Sequence, residues 1–469
     1  MSIDRSSLLR WGAVLLPGAL LYFLPVPGFD AGQRHLLAIF LATIVALVAR
    51  PAPMGVSVLL AMTLAALTRA VPAARVLSGF TNQTVWLIFA AFLFSRAIGV
   101  TGLGMRVAYL LIRRFGSSSL RLAYSTVASG ALLAPFVPSD TARGGGVVYP
   151  VTRSLAQACG SEPGPTARRI GSFLTLAGFH GNCIASAMFL TSMAANPLIA
   201  EFAWKTGHVR ITWLGWLAGS CVPAALSAAL VPYLIYRWHP PEIRYTGAAR
   251  AMAVARLKEM GPMSGRERRL VAILAAVMAG WVTSPWHGVP NAFVALTGIS
   301  AELIFGVLTW DDLLSETKAW DALMWFAPLI MMADELNTSG VVKVVSQALF
   351  AHMAGWPWGA ALAALALVYF YVHYLFASMT AQVTALYPAF LGAALAAGAP
   401  PMMAALPLAY LSSLNAGMTH YGTGSAPVFF GAGYVPPGEW WKIGFRVSLV
   451  NAAIWLGAGP LWWKAIGLW

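Results

Sequence analysis

The sequence predicts an all-α, polytopic membrane protein, because it is strongly apolar, poor in charge and divided into repeated apolar segments. Of its 469 residues, 59% are hydrophobic and 10% are charged, with a mean hydropathy of +0.71. A soluble domain carries about 25% charged residues, so most of this chain must be surrounded by lipid. A helix needs about 20 apolar residues to cross a bilayer, and about 11 segments come near that length. These candidate spans are 11–25, 35–49, 52–68, 83–112, 170–195, 211–236, 268–286, 291–309, 322–350, 401–418 and 443–463.

The basic residues lie in short connections between the spans, where they set the orientation of a membrane protein. The formal charge of +14 would by itself suit nucleic acid, but this distribution is typical of cytoplasmic loops, and we expect no nucleic-acid partner. The stretch 237–269 is the clearest basic linker, and it places the N-terminus inside the cell. No small-residue cleavage motif follows segment 11–25, so we expect it to be a retained first helix.

The second half of the chain repeats features of the first half. Residues 83–103 align with 321–341, which pairs Thr101-Gly102 with Ser339-Gly340. Further along, Ser139-Asp140-Thr141-Ala142 aligns with Ser378-Met379-Thr380-Ala381. The spans between the copies reverse their direction through the bilayer, and such inverted repeats are typical of secondary transporters, whose sites lie near the midplane.

The runs that contain the two tetrapeptides are too rich in Gly and Pro for plain spans. We interpret 119–156 and 355–395 as re-entrant hairpins, each made of two half-helices joined at a tip, with the two tips facing each other. Irregular backbone at that depth is tolerated only where it is buried or lines a cavity. A broken helix is expected after each hairpin, within 170–195 at Gly178–Asn182 and within 401–432 at Gly417–Gly424.

These tips have the chemistry of an anion site. Ser and Thr hydroxyls at the start of a half-helix lie beside unpaired N–H groups and the positive end of the helix dipole, where carboxylates bind well. The helix breaks free further backbone groups for a ligand. The candidate substrate-binding residues are therefore Ser139, Asp140, Thr141, Asn182, Ser378, Met379, Thr380, Gly422 and Thr423.

Charged residues at membrane depth are costly and usually have a function. Arg143 and His420 are the candidate charge-balancing residues, and Asp140 is expected to pair with Arg143 or to accept tip N–H groups. His373 is expected to be a packed, hydrogen-bonded residue. Four further charges are expected to form interhelix pairs or to reach the membrane surface: Arg96, Glu302, Asp334 and Glu335.

The motifs resemble the divalent anion–sodium symporter family, and within it the citrate/succinate, tartrate/succinate and 2-oxoglutarate/malate exchanger branch. The resemblance extends from about residue 80 to about residue 460. It rests on PSDTARGGG at 138–146, GNCIASAMFLTSMAANP at 181–197, HYLFASMTAQVTALYPAFL at 373–391 and MTHYGTGSAPVFFGAGYVPPGEWWKIGF at 418–445.

The resemblance implies a homodimer in the inner membrane that works by an elevator mechanism, with the tip hydroxyls of Ser139, Thr141, Ser378 and Thr380 holding carboxylates. A mobile transport domain containing both hairpins would slide past a fixed scaffold. The expected divisions are scaffold helices 1–112, the first transport half 113–236, the linker 237–269, further scaffold 270–350 and the second transport half 351–469.

The mode of transport follows from the cations beside the tips. Sodium-coupled relatives normally have Ser-Asn-Thr tips, whereas Arg143 and His420 stand near those positions here, as in the exchanger branch. A fixed cation removes the need for a mobile one, which favours exchange of C4–C6 di- or tricarboxylates such as succinate, malate, tartrate, citrate or 2-oxoglutarate. The alternative is a sodium-coupled dicarboxylate symporter.

Two departures from the family pattern are expected to affect substrate preference, Asp140 in place of Asn and Gln382 in place of His.

Other classes of function fit the sequence less well. No H-E-x-x-H, G-x-S-x-G or paired-ligand spacing is present, so we expect neither an enzyme, nor a cofactor, nor a metal site. The cysteines suggest no disulfide framework. A channel or an arsenite-type carrier shares the re-entrant theme, but arsenite favours thiolate contacts and only Cys183 lies near a break. The three cysteines are Cys159, Cys183 and Cys221.

Overall fold

The protein is built from helices, as its composition predicts. The structure is a computed structural model that describes residues 5–469, with side chains from residue 9 onward. Within these residues the β-structure is limited to one isolated antiparallel bridge between Ser118 and Tyr245, so the predicted all-α class is confirmed.

The first half contains three N-terminal helices and the first copy of the repeat. The expected retained first helix forms from Arg5 to Phe23. The helices are α1 (Arg5–Phe23), α2 (Ala31–Ala49), α3 (Met54–Leu67), α4 (Ala73–Val76), α5 (Gln83–Thr101), α6 (Leu103–Phe115), α7 (Ser119–Leu133), α8 (Asp140–Arg143), α9 (Tyr149–Ala158), α10 (Gly171–Met188), α11 (Ala195–Gly207) and α12 (Trp213–Trp238).

The second half begins with a helix inside the basic linker and continues with the second copy. The helices are α13 (Gly247–Met260), α14 (Gly265–Val282), α15 (Ser284–His287), α16 (Asn291–Ile304), α17 (Trp310–Ser315), α18 (Thr317–Thr338), α19 (Val341–Ala351), α20 (Trp358–Tyr371), α21 (Met379–Ala396), α22 (Pro401–Leu414), α23 (Ala426–Gly431), α24 (Pro437–Ala453) and α25 (Gly459–Ala465).

Both copies of the repeat break at the paired glycines. The spans expected at 83–112 and 322–350 are each two helices, α5–α6 and α18–α19. Gly102 between the first pair has φ 77° and Gly340 between the second has φ 85°. Glycine adopts this left-handed conformation without the steric cost of a Cβ, so the aligned glycines end the leading helix in each copy.

Several helices are long and apolar enough to cross a membrane. Five described helices meet both conditions, and four shorter apolar helices accompany them. At 1.5 Å per residue, an 18-residue helix spans about 27 Å, close to the thickness of the hydrocarbon core. The five are Ala31–Ala49, Gln83–Thr101, Trp213–Trp238, Trp358–Leu375 and Met379–Ala396.

The chain forms two compact units, each assembled from separate stretches of sequence. The first contains 1–89, 197–211 and 317–408, and the second contains 90–196, 212–316 and 409–469. The predicted scaffold and transport domains are defined by motion rather than by compactness, and they remain a prediction.

Three of the four charges expected at span depth form ion pairs. Arg75 Nε lies 2.8 Å from Glu335 Oε1 and Arg96 Nη2 lies 3.1 Å from Asp312 Oδ1, while Asp334 pairs with Lys205. The pairing interpretation is therefore confirmed for Arg96, Asp334 and Glu335. Glu302 is the exception, because it is buried and both carboxyl oxygens are without a hydrogen-bond partner among the described residues.

Candidate functional site

The first tip is the start of a helical run. After α7 a 3₁₀ turn covers Ala134–Phe136, and Ser139, in an extended conformation, caps the run that continues through α8, a π-helical turn and α9. Its Oγ accepts a hydrogen bond from the N–H of Ala142 at 3.1 Å. Thr141 is exposed and Ser139 is half-buried, and Thr141 Oγ1 donates to Asp140 Oδ1 at 3.4 Å.

Asp140 is held by hydroxyl groups. Its Oδ2 accepts hydrogen bonds from Thr423 Oγ1 at 2.5 Å and from Ser425 Oγ at 2.7 Å. It forms no ion pair with Arg143, and the expectation that these two residues pair is wrong. Its buried carboxylate connects the first tip to the segment that precedes α23.

Arg143 is fully buried, and its guanidinium donates five hydrogen bonds to protein oxygens. Nη1 donates to the carbonyls of Val137 and Ser192, at 2.9 and 2.8 Å. Nη2 donates to Ser186 Oγ at 2.5 Å and to the carbonyl of Asn182 at 3.1 Å. Nε donates to Asn182 Oδ1 at 2.9 Å. Because all five N–H donors are used, this arrangement leaves none for a substrate carboxylate.

Both the amide oxygen and the amide nitrogen of the Asn182 side chain form hydrogen bonds. Oδ1 accepts from Arg143, and Nδ2 donates to the carbonyl of Asp140 at 3.0 Å. A Cβ at Gly144 would lie 2.7 Å from Asn182 Nδ2, so the glycine allows this approach. Asn182 thus links Arg143 to the first tip in this structure, and its role in substrate binding stays a prediction.

The first helix break is not where the glycines predict it. Helix α10 runs through Gly178–Asn182 without interruption and ends at Met188, and the chain becomes helical again at Ala195. A Cβ at Gly181 would clash with Val127, and one at Gly178 would lie 3.2 Å from Thr152 Oγ1. These glycines therefore permit close helix packing, and the non-helical residues of this region are 189–194.

The second tip has the same capping geometry. Ser378 is extended and caps α21, and its Oγ accepts a hydrogen bond from the N–H of Ala381 at 3.3 Å. Ser378 and Thr380 are half-buried, whereas Met379 is buried. The tip therefore offers two hydroxyls, and Met379 packs into the protein.

Gln382 and His373 hold the arms of the second hairpin together. Gln382 Nε2 donates to the carbonyl of Tyr369 at 2.6 Å, and its Oε1 lies 2.6 Å from His373 Nδ1. With the amide in this orientation, His373 Nδ1 is the donor. His373 is a buried, hydrogen-bonded residue, as expected. Gln382 is fully buried as well, and its side chain faces the hairpin arms.

The second broken helix opens between α22 and α23. A short 3₁₀ turn follows at Asn415–Gly417, and helix resumes at Ala426. Thr423 and Gly422 are buried in this segment. A Cβ at Gly424 would clash with Thr141, so this glycine lets the segment approach the first tip.

His420 is half-buried in the same segment. Its Nδ1 accepts a hydrogen bond from Trp441 Nε1 at 3.1 Å, and its ring lies 4.7 Å from that of Phe430. An indole N–H only donates, so Nδ1 is the hydrogen-bond acceptor in this arrangement. A charge-balancing role for His420 would require this hydrogen bond to break.

Sequence reasoning did not identify the serines that complete the first site. Ser186 and Ser192 accept from Arg143, and Ser425 donates to Asp140. Asn196 ties the same loop together by donating to the carbonyl of Ser186 at 2.8 Å. Three of these four lie in the motif at 181–197, but small polar residues are too common in membrane helices to be assigned without the contacts.

Comparison with known proteins gives matches over nearly the whole chain. The family described as "Sodium:sulfate symporter transmembrane region" matches residues 6–469. The chain is 46% identical to the "Putative malate transporter YflS" of Bacillus subtilis, over 96% of this chain and 95% of that protein. It is also 46% identical to dicarboxylate transporter 1, chloroplastic, of Arabidopsis thaliana, over 97% of this chain and 83% of that protein.

Two further matches are more distant. The L-tartrate/succinate antiporter of Shigella sonnei is 31% identical, over 97% of this chain and 98% of that protein. The crystal structure of the Alcanivorax borkumensis YdaH transporter matches with a TM-score of 0.55 and 14% identity, over 98% of this chain and 97% of that one, and it bears on the fold alone. This chain therefore belongs to the sodium:sulfate symporter family, the divalent anion–sodium symporter family that its motifs resemble, and is a multi-pass membrane transporter.

Proposed function

We propose that this protein exchanges small dicarboxylates across the membrane, with carboxylate groups bound at the two Ser-x-Thr-Ala tips. Each tip combines a helix start with hydroxyls that a ligand can reach. Ser139 and Ser378 each accept one backbone N–H, which leaves the hydroxyl proton of each serine for a carboxylate oxygen. Relatives named as malate, dicarboxylate and tartrate/succinate transporters support this substrate class.

The environment of Arg143 is the observation that favours exchange rather than sodium symport. Five oxygens converge on its guanidinium, three of them backbone carbonyls. Oxygen donors of this kind are what hard cations bind. The fixed guanidinium satisfies these oxygens and supplies a permanent positive charge beside the first tip.

A permanent charge has a consequence for the transport cycle. We infer that the substrate anion interacts with this charge in the loaded carrier, whereas the empty carrier would have to cross the low-dielectric core with Arg143 and Asp140 both buried and no anion at the tip. Obligate exchange follows, because return of the empty carrier is slow. We further propose that the protein is a homodimer in the inner membrane and moves its substrate by an elevator motion, as the family resemblance implies.

Counterflow into proteoliposomes tests the proposal. Vesicles loaded with succinate should take up labelled succinate rapidly without sodium, and unloaded vesicles should take up little. Concentrative uptake into unloaded vesicles that requires a sodium gradient would establish the symporter instead.

Substitution of Arg143 tests the charge argument. Arg143→Gln should abolish sodium-independent exchange, whereas Arg143→Lys keeps the charge and should retain part of it. Arg153→Gln is a matched control, because Arg153 is an exposed arginine on the same helical run. Gel filtration of each variant separates loss of transport from loss of folding. Unchanged exchange in Arg143→Gln would refute the role of this charge.

A further inference from the structure

An apolar groove runs along the three N-terminal helices. It is formed by α1, α2 and α3 and encloses about 290 Å³, close to the lower limit of pockets that bind small molecules, about 300 Å³. Its walls are almost entirely aliphatic and aromatic, with Trp11 and Tyr22 on α1 and Leu60 and Leu64 on α3. All of its lining residues belong to the first compact unit.

One buried polar atom in this groove lacks a hydrogen-bond partner among the described residues. Ser57 lines the groove and is 4% exposed, and its Oγ forms no hydrogen bond among the described residues. The two threonine hydroxyls on the groove wall are satisfied within their own helices. Thr43 donates to the carbonyl of Ile39 and Thr68 to that of Leu64, both at 2.7 Å.

A buried hydroxyl without a partner is destabilising, so a ligand group that accepts its hydrogen bond would be favoured at this position. The groove is therefore apolar along its length and has an unsatisfied polar atom near one end. An amphiphile with a hydrogen-bond acceptor next to its hydrocarbon chain would fill the apolar groove and accept a hydrogen bond from Ser57.

Charges of both signs lie at the same end as Ser57. Arg10 directly precedes Trp11, and Arg50 lies one turn beyond Ala46, another residue of the groove wall. Both arginines are exposed and form no ion pair in the described part of the chain. Asp321 lies beside Gly55, two residues before Ser57, with its Oδ1 3.1 Å from where a glycine Cβ would stand. It too is exposed and has no ion-pair partner among the described residues.

We propose that this groove binds a phospholipid with an ethanolamine headgroup from the leaflet on the side of Arg10 and Arg50. The acyl chain fills the apolar groove, and the ester region accepts the hydrogen bond of Ser57. The phosphate lies near the arginines, and the ammonium donates to Asp321. Two cations and one carboxylate match a zwitterionic headgroup with N–H donors better than an anionic headgroup or a quaternary amine.

Native mass spectrometry of the full-length protein tests the binding. The protein, extracted in mild detergent and supplied with defined lipids, should retain phosphatidylethanolamine at least several-fold more than phosphatidylcholine or phosphatidylglycerol. Leu60→Trp should fill the groove and remove the retained lipid. Leu59→Trp is the matched control, because Leu59 is a neighbouring exposed leucine outside the groove, 44% exposed against 42% for Leu60.

Two milder variants keep the test informative if Leu60→Trp does not fold. Ser57→Ala removes no protein hydrogen bond, so it should fold and retain several-fold less lipid. Asp321→Asn should abolish the preference for ethanolamine over choline, whereas Asp311→Asn, at an exposed site in the other unit, should not.

The proposal is overturned if Leu60→Trp and Leu59→Trp retain equal amounts of phosphatidylethanolamine, or if the wild type retains all three lipids equally. It is also overturned if Leu60→Trp changes the oligomeric mass and leaves lipid retention unchanged, since the groove would then be covered by a second copy.

Discussion

Asp140 and Arg143 stand three residues apart on one helical turn, and each satisfies its charge with different partners. The carboxylate accepts hydroxyls from Thr423 and Ser425, while the guanidinium takes five oxygens from elsewhere in the first site. Burial of a charge is costly unless every donor or acceptor is satisfied. This arrangement keeps a full set of partners around Arg143 and leaves the hydroxyl proton of Ser139 for a ligand, while Thr141 Oγ1 donates to Asp140 Oδ1 at 3.4 Å.

The capping serines are a direct test of the tips. Ser139→Ala and Ser378→Ala should each weaken apparent substrate affinity about 10- to 100-fold, because a hydrogen bond to a charged group contributes about 1.5–3 kcal/mol. Loss of the cap should also cost about 1 kcal/mol of stability. Affinity is measured by concentration-dependent counterflow, and stability by thermal unfolding.

Ser118→Ala provides the control for the capping effect. Ser118 caps α7 through the N–H of Arg121, so its loss should reduce stability similarly and leave substrate affinity unchanged. If the tip variants behave like Ser118→Ala, the serines are helix caps and the tip assignment is wrong.

At the scale of helices, glycines in this protein serve two different purposes. Gly102 and Gly340 have positive φ and end α5 and α18 at equivalent places in the two copies. Gly178 and Gly181 lie in the uninterrupted helix α10 and allow neighbouring elements to approach. Sequence pattern does not distinguish these uses, because both are glycines within an apolar run.

Substitution of a packing glycine should be destabilising. Gly181→Ala places a Cβ against Val127, and such overpacking costs about 1–3 kcal/mol. Gly99→Ala is the matched control, because Gly99 is also helical and has no atom within 4 Å of its Cβ position. Alanine favours helix by up to about 1 kcal/mol, so thermal unfolding should show equal or greater stability for Gly99→Ala. Equal thermal-unfolding midpoints for Gly181→Ala and Gly99→Ala would contradict the packing interpretation.

At the scale of the whole molecule, we expect acid stability to depend on a histidine that joins three helices of the second unit. His239 follows α12, is buried, and its Nε2 lies 3.0 Å from Ser172 Oγ on α10. Glu439 on α24 lies 3.5 Å from its Nδ1, and Arg168 and Lys442 are also nearby. Burial, with a smaller contribution from Arg168, lowers the pKa of His239 to about 4.

This depressed pKa makes stability fall in acid. Above about pH 6.5, the ordinary pKa of histidine, the group is neutral in both states and its full contribution is present. As pH falls towards 4 the unfolded chain binds a proton that the folded protein excludes, and roughly 3 kcal/mol is lost. His239→Gln should therefore lose less stability between about pH 7 and about pH 5 than the wild type, as measured by thermal unfolding. An identical pH dependence in the variant would show that other groups control acid unfolding.

Composition and local pattern were sufficient for the class of this protein and for much of its organisation. A chain this apolar must be surrounded by lipid, and the aligned Ser-x-Thr-Ala tips and paired glycines identify the repeat, because these signals are carried by neighbouring residues. The predicted hydroxyls of Ser139 and Ser378 do cap the tip helices, with the same geometry in both copies.

Long-range contacts decided the rest. The two hydroxyls that donate to Asp140 Oδ2 come from residues more than 280 positions away in the chain, and the glycines of α10 are places where Val127 and Thr152 approach the helix closely. Asn182 likewise donates to the carbonyl of Asp140, 42 positions earlier in the chain, and Gln382 donates to the carbonyl of Tyr369 across the turn of its own hairpin. A buried polar group takes whichever partners the packed fold brings within hydrogen-bonding distance, and the order of residues along the chain does not specify those partners.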